Sequence, residues 1–257
     1  MALLDPAVSG RDEVADLFDG PRRLRLFSAP YHALTTDDIL DEITFAVTKG
    51  EQRVIASQNL HGIHTYLRSP HYRALHERPK TLVHIDGMPL VWAAKARGEQ
   101  LTGEYRTACI DWIYDVLSLA DLYGWSVFHL GSTEAVSAEG VAALQAQYPR
   151  VEIGRRNGFF DMEPTGAENR DVVAEINAFG PDILLVGMGM GRQERWILEN
   201  IDRLDASVVI TTGAMMELIS GELPIPPRWI ARMGFEWLYR LFDNTGAVAG
   251  RYLIEPW

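Results

Sequence analysis

Short apolar runs recur along the chain, and glycine or small polar residues follow most of them. Leu24–Phe27, Arg53–Ala56, Thr81–Ile85, Ser126–Leu130, Val151–Gly154, Ile183–Val186 and Ser207–Thr211 have the length and composition of strands. Between them apolar positions return every three or four residues, the spacing of one helix face. Thr35-Thr-Asp-Asp38 supplies the cap of a helix running to about Lys49. Further helices are expected with His61, His64, Leu67 and His71, over 107–122, up to Tyr148, over 168–179, and with Trp196, Ile197, Ile201 and Leu204 on one face. Strands alternating with helices predict parallel βαβ units, hence an α/β protein with a Rossmann-like, doubly wound, mainly parallel sheet. The pattern divides the chain into a loosely ordered segment 1–22, a core 23–222 and a tail 223–257. In the tail Ile230, Met233, Trp237 and Leu241 form one face of a C-terminal helical appendage.

The chain is organised around Ile183-Leu-Leu-Val-Gly-Met-Gly-Met-Gly-Arg-Gln-Glu-Arg-Trp196. A buried strand breaks through Gly187, Gly189 and Gly191 into a helix. Glycine lets backbone approach a phosphate closely, and a helix N-terminus presents unbonded N–H groups. A dinucleotide fingerprint would carry a third glycine where Arg192 stands, and would lie in the first βα unit. The stretch therefore reads either as a site wall or as a tight strand-to-helix turn.

Other polar residues also fall where strands end: Ser57 and Asn59, Asp86 and Gly87, Gly131 and Ser132, and Gly213. In an open parallel sheet these ends face one crevice. Asp86 follows a buried strand, where a partly desolvated carboxylate suits a general base. From spacing alone, the commoner use of such a residue is to cap the next helix, whose apolar face includes Val91 and Trp92. His61-x-x-His64 has the pitch of a metal pair but lacks a third ligand nearby, so a solvated helix face is favoured. There is no serine-hydrolase elbow, no Walker lysine, and no Asp-x-Asp of the kind that holds a divalent cation on a diphosphate. Protein groups must then neutralise any diphosphate, and neither metal nor cofactor is expected.

Composition narrows the reading. Hydrophobic residues at 47% and charged residues at 23% suit a globular chain with a large core. A net charge of −11 argues against nucleic-acid binding, which needs a basic footprint. One cysteine, Cys109, excludes an internal disulfide. Met1-Ala-Leu-Leu-Asp5 has no secretory apolar core, and no run reaches membrane-spanning length, so a cytoplasmic protein is expected. The tail combines Arg228, Arg232, Arg240 and Arg251 with Trp229, Trp237 and Trp257, which suits a membrane surface, the protein's own core or a neighbouring subunit of a homo-oligomer.

One ordered set of signatures is more specific than any single motif: Ser57-Gln-Asn59, Asp86-Gly-Met-Pro89, Arg106 with Asp111, Gly158-Phe-Phe160, Val186-Gly-Met-Gly189 with Gln193-Glu194, Thr212-Gly213, Gly221 and Gly234-Phe-Glu-Trp-Leu-Tyr-Arg240. With this set the chain resembles the bacterial WecG/TagA/CpsF glycosyltransferases from the Thr35 helix to Arg251. The resemblance implies a metal-independent inverting transferase that moves a sugar from a UDP donor to a lipid-linked sugar at the inner membrane face. It puts the base on Asp86 and the polar pocket on Ser57, Asn59, Arg106 and Gln193. It also implies a C-terminal appendage that closes over the site and supplies diphosphate-binding arginines. The family's Arg-Ala-Pro stands here as Ile225-Pro-Pro227, its Pro-Lys as Gly191-Arg192, its glycine between Arg106 and Asp111 as Cys109, and only Arg251 remains after Arg240.

The expectation is therefore a peripheral membrane glycosyltransferase of cell-surface or exopolysaccharide synthesis. Asp86 is its base. Ser57, Asn59, Arg106, Asp111, Gly187, Gly189, Gln193, Glu194 and Gly213 form the donor site, and Arg240, with Arg251 or Arg232, holds the diphosphate. The competing readings are a dinucleotide-dependent oxidoreductase using the glycine loop, and a catalytically weak member of the same family.

Overall fold

Alternation along the strands sorts their side chains onto two faces, and both faces are covered. The computed structural model describes residues 21–224. In chain order its elements are β1 (Arg23–Leu26), β2 (Ala29–His32), α1 (Thr36–Lys49), β3 (Arg53–Gln58), α2 (Leu60–Arg68), α3 (Pro70–Glu77), β4 (Thr81–Ile85), α4 (Met88–Ala96) and α5 (Cys109–Tyr123). Then follow β5 (Val127–Gly131), α6 (Glu134–Gln147), β6 (Ile153–Arg156), α7 (Ala167–Phe179), β7 (Ile183–Gly187), α8 (Arg192–Asn200), β8 (Val208–Thr211) and α9 (Met215–Ile219). β3 to β8 form one sheet in the order β4-β3-β8-β7-β5-β6, with every pairing parallel. The expected α/β, Rossmann-like sheet is present.

Ile55, Val127, Ile183, Leu185, Val208 and Ile210 pack with Ile39 and Ile43 of α1, Trp112 and Ile113 of α5, Leu144 of α6 and Met216 of α9. The intervening positions, Val54, Val83, Phe128, Leu184, Val186 and Val209, pack with Leu75 of α3, Ile176 of α7 and Trp196 and Ile197 of α8. Strands buried on both faces read as continuous apolar runs, which is why they stood out in the sequence.

Three local features depart from the expectation. The first run is half of an antiparallel hairpin, β1–β2, turned by Phe27 and Ser28 at φ 50° and 70°. Neither is a usual residue for such a turn. Phe27 stacks under the Arg97 guanidinium at 4.5 Å, and Arg23 and Arg25 both reach Glu77 of α3, which pins the hairpin to the core. The single helix expected to carry His61 to His71 is two helices: Ser69 caps α3 and Pro70 opens it. On α4, Val91 is buried but Trp92 is 45% exposed, so Trp92 is not on the packed face. Residues 1–20 of the segment 1–22 and nearly all of the appendage, with Arg232, Arg240 and Arg251, lie outside the described residues.

Candidate functional site

The carboxyl ends of the parallel strands meet along one edge of the sheet, and two clusters of polar side chains lie there. The first surrounds Asp86. Its N–H donates to the Gln58 carbonyl at 2.8 Å, carrying the β3–β4 pairing one step past the strand. α4 starts from Gly87, so Gly87 and not Asp86 is its N-cap residue. The cap at this edge is Asn59, whose Oδ1 accepts from the Gly62 N–H of α2 at 2.9 Å. That bond turns the other end of the amide outward, and Asn59 Nδ2 donates to Asp86 Oδ2 at 3.3 Å.

Arg106 is brought to the same place by chain pairing. A parallel bridge sets Ile85 beside Arg106, and the Thr107 N–H donates to the Ile85 carbonyl at 2.8 Å. The Arg106 side chain is only 10% exposed and Nη1 lies 2.7 Å from Asp111 Oδ2, while Asp111 is 46% exposed. Asp111 thus holds Arg106 from its outer side. Ser57 is not beyond the strand, as the sequence suggested, but within β3. It pairs with His84 of β4, and its N–H donates to Thr211 Oγ1 at 3.1 Å.

The second cluster follows β7 and β8. Gly187 ends β7 against the next loop: a Cβ there would lie 2.9 Å from both the Gly213 carbonyl and Thr212 Oγ1. Gly189 and Gly191 sit at φ 82° and 86°, the left-handed region that favours glycine. Gln193, 1% exposed, accepts from the Gly213 N–H at 3.2 Å and donates from Nε2 to Glu194 Oε1 at 2.8 Å. Glu194 is fully buried, and burial pushes its carboxyl up to about 7.

Beside this cluster is a pocket of about 100 Å³ lined by Ser132, Gly158, Phe159, Met188, Arg192 and Glu217. Ser132 Oγ and Glu217 Oε2 are buried without a hydrogen-bond partner among the described residues. Phe159 is 70% exposed at the rim, with the Arg192 guanidinium 6.0 Å from its ring. Arg192 donates to the Gly158 and Phe160 carbonyls at 2.9 and 3.2 Å. A larger cavity, about 230 Å³, lies against Gln52, Val54, Arg78 and Lys80 near the amino ends of β3 and β4, and no strand-end residue lines it.

The sequence reading left the roles of Glu217, Phe159 and Arg192 unassigned. Glu217 lies on α9, a five-residue helix too short to show periodicity. Its one signal was position, just after the glycine turn at Gly213. His61 and His64 stack with ring centroids 6.0 Å apart, and among the described residues no group of three His, Cys, Asp or Glu side chains could hold a metal ion. Among the same residues no helix is long and apolar enough to cross a membrane.

Comparison with known proteins bears on this edge. The model of the Glycosyl transferase WecG/TagA/CpsF family matches residues 24–257. Two curated relatives, both named N-acetylglucosaminyldiphosphoundecaprenol N-acetyl-beta-D-mannosaminyltransferase, come from Staphylococcus aureus strains MRSA252 and NCTC 8325 / PS 47. Each is 30% identical over 155 residues, which is 60% of this chain and 58% of the relative. The chain thus matches less than two thirds of the length of these relatives.

Proposed function

The chain belongs to the WecG/TagA/CpsF glycosyltransferase family, and from that premise we propose that it moves a sugar from a UDP-sugar donor to a lipid-linked, polyprenyl diphosphate saccharide, with inversion and without a metal. N-acetylmannosamine is the first donor sugar to consider, and N-acetylglucosaminyl diphosphoundecaprenol the first acceptor, because the relatives' name states both. The observation that carries the reading is the spacing of the two clusters. Asp86 leaves β4, and the pocket with Ser132 lies at the end of β5. The order β4-β3-β8-β7-β5 puts four strand spacings between them, about 19 Å at ~4.8 Å each. A nucleoside diphosphate sugar lying across the edge spans that interval.

In this reading Phe159 stacks on the base, and Ser132 and Glu217 bond the nucleoside. The diphosphate lies over Gly187, Gly189 and Gly213 at the start of α8. The sugar reaches Asn59, Arg106 and Ser57. Asp86 takes the proton from the acceptor hydroxyl as it attacks the anomeric carbon opposite the leaving UDP, which inverts that centre. The tail, outside the described residues, supplies Arg240 with Arg251 or Arg232 to the leaving diphosphate and a peripheral membrane contact at the cytoplasmic face.

Calorimetry separates this from the oxidoreductase reading. UDP is expected to bind and NAD not to bind. Saturable binding of NAD with no binding of UDP would overturn the donor assignment.

A further inference from the structure

Glu194 stands out once the site is laid out, because nothing in the transfer reaction needs it and no ligand can touch it. It is 0% exposed, and both carboxylate oxygens are occupied. Oε1 accepts from Gln193 Nε2 at 2.8 Å, and Oε2 accepts from the Gly191 N–H. Gln193 in turn accepts from the Gly213 N–H at 3.2 Å with its only acceptor atom. One buried carboxylate therefore ties the glycine loop after β7 to the glycine turn after β8. Those are the two backbone segments over which the proposed diphosphate lies.

The chemistry of the bonds requires a carboxylate. Two N–H donors point at two oxygens, and only a group that accepts on both sides satisfies both. The amide of glutamine keeps one acceptor and turns a donor toward the other N–H. Either the Gly191 bond or the Gln193 bond is then lost. If Gln193 turns over instead, its amide nitrogen faces the Gly213 N–H and the clash moves to the next bond. We infer that Glu194 is a positioning residue: its carboxylate holds the loops after β7 and β8 together in the geometry that receives the donor diphosphate. This rests on the donor reading above.

The surroundings offer the carboxylate no cation in place of these two bonds. Burial, the largest influence, raises the Glu194 carboxyl to about 7, against the Gln193 and Gly191 bonds that lower it. From α3, Tyr72 faces it, buried, its hydroxyl donating to Gln58 Oε1 at 2.8 Å, with His76 stacked behind at 4.0 Å. The Tyr72 hydroxyl is pushed well up, by burial first and then by the charges of Glu194 and Asp86. Burial lowers His76 to about 4, so it is neutral at pH 8 and supplies no charge to the carboxylate. β8 and the turn after it present Thr211 and Thr212, which do not titrate. On α8 itself Arg192 is turned to the Gly158 and Phe160 carbonyls and Arg195 pairs with Glu199 at 2.8 Å. No cation among these groups bonds to the Glu194 carboxylate.

The test has a ligand-free arm and a ligand arm, both on the full chain. Backbone amide exchange at Gly191 and Gly213, corrected for intrinsic rate, is compared at pH 8 in wild type and Glu194→Gln. Protection of these two amides is expected to be about tenfold lower in Glu194→Gln, with circular dichroism and the protection of the β3 and β5 amides unchanged. UDP affinity by calorimetry at the same pH is expected to fall by a similar factor. Wild-type protection of both amides in Glu194→Gln overturns the positioning role, as does a loss of protection spread evenly through the sheet. Absence of UDP binding by wild type overturns the donor reading and with it the ligand half of the inference. That result is distinguishable because the exchange arm contains no UDP.

Discussion

At the scale of single residues, the account turns on how Asp86 and Asn59 divide two tasks. Asn59 caps α2 and so has its nitrogen end directed at Asp86, which in the proposed function acts on the acceptor hydroxyl. Asp86→Asn keeps the shape but cannot accept the proton. Steady-state turnover should fall about a hundredfold or more, with UDP affinity within about twofold. Turnover within about threefold of wild type would remove Asp86 from the mechanism. Asp86 was visible in the sequence because a carboxylate directly after a buried strand is a position with few structural uses. That Gly87, not Asp86, is the N-cap residue of the next helix was not visible, since it depends on where that helix begins. Glu194 was visible as a polar residue after the glycine loop, but its burial was not. A glutamate in the first turn of a helix ordinarily faces water, and only the packing of α3 and α8 covers this one. Ser132 and Glu217 are marked by buried oxygens with no hydrogen-bond partner among the described residues, a property that exists only after folding.

At the scale of elements, close backbone approach decides what the site edge tolerates. Gly131 ends β5 against Gly187 at the end of β7: a Cβ on Gly131 would fall 2.2 Å from the Gly187 carbonyl oxygen, which belongs to the backbone and cannot move aside. Gly140 on α6 is as tight, but its neighbour is the flexible end of Met216, with Sδ at 2.2 Å. Gly131→Ala is therefore expected to cost about 3 kcal/mol, or roughly 6–12 °C in Tm, and Gly140→Ala about 1 kcal/mol. Thermal unfolding of the two variants checks the order. Equal losses, or a larger loss at Gly140, would contradict this view of the β5–β7 contact. The strands and longer helices were legible from periodicity. The β1–β2 hairpin was hidden because Phe27 and Ser28 occupy a turn that normally shows Asn or Gly. The break between α2 and α3 was signalled by Ser69-Pro70, which serve as cap and first residue of a new helix.

For the whole molecule, four of the seven histidines are buried and neutral. Burial, the largest cause in each, lowers His32 and His76 to about 4 and His84 and His129 to about 3. In the unfolded chain each would take a proton near pH 6.5, so below that pH the unfolded state binds more protons and the fold loses stability. Each histidine adds up to about 1.4 kcal/mol per pH unit to that slope. Glu194 runs the other way between about 7 and its ordinary value, but it is one group against four. Urea melts at pH 7.5, 6.5 and 5.5 should show falling stability below 6.5; constant or rising stability would contradict the neutral burial of these rings. In the proposed function the sheet order matters because it sets Asp86 and the pocket at Ser132 four strand spacings apart along one edge. The most direct test of that claim is acceptor-dependent release of UDP from a panel of UDP-sugars, with a short-chain lipid diphosphate N-acetylglucosamine as acceptor. The account predicts release from at least one donor, UDP-N-acetylmannosamine first, only when the acceptor is present, with a product of inverted anomeric configuration. No release from any donor, or release indifferent to the acceptor, would contradict it.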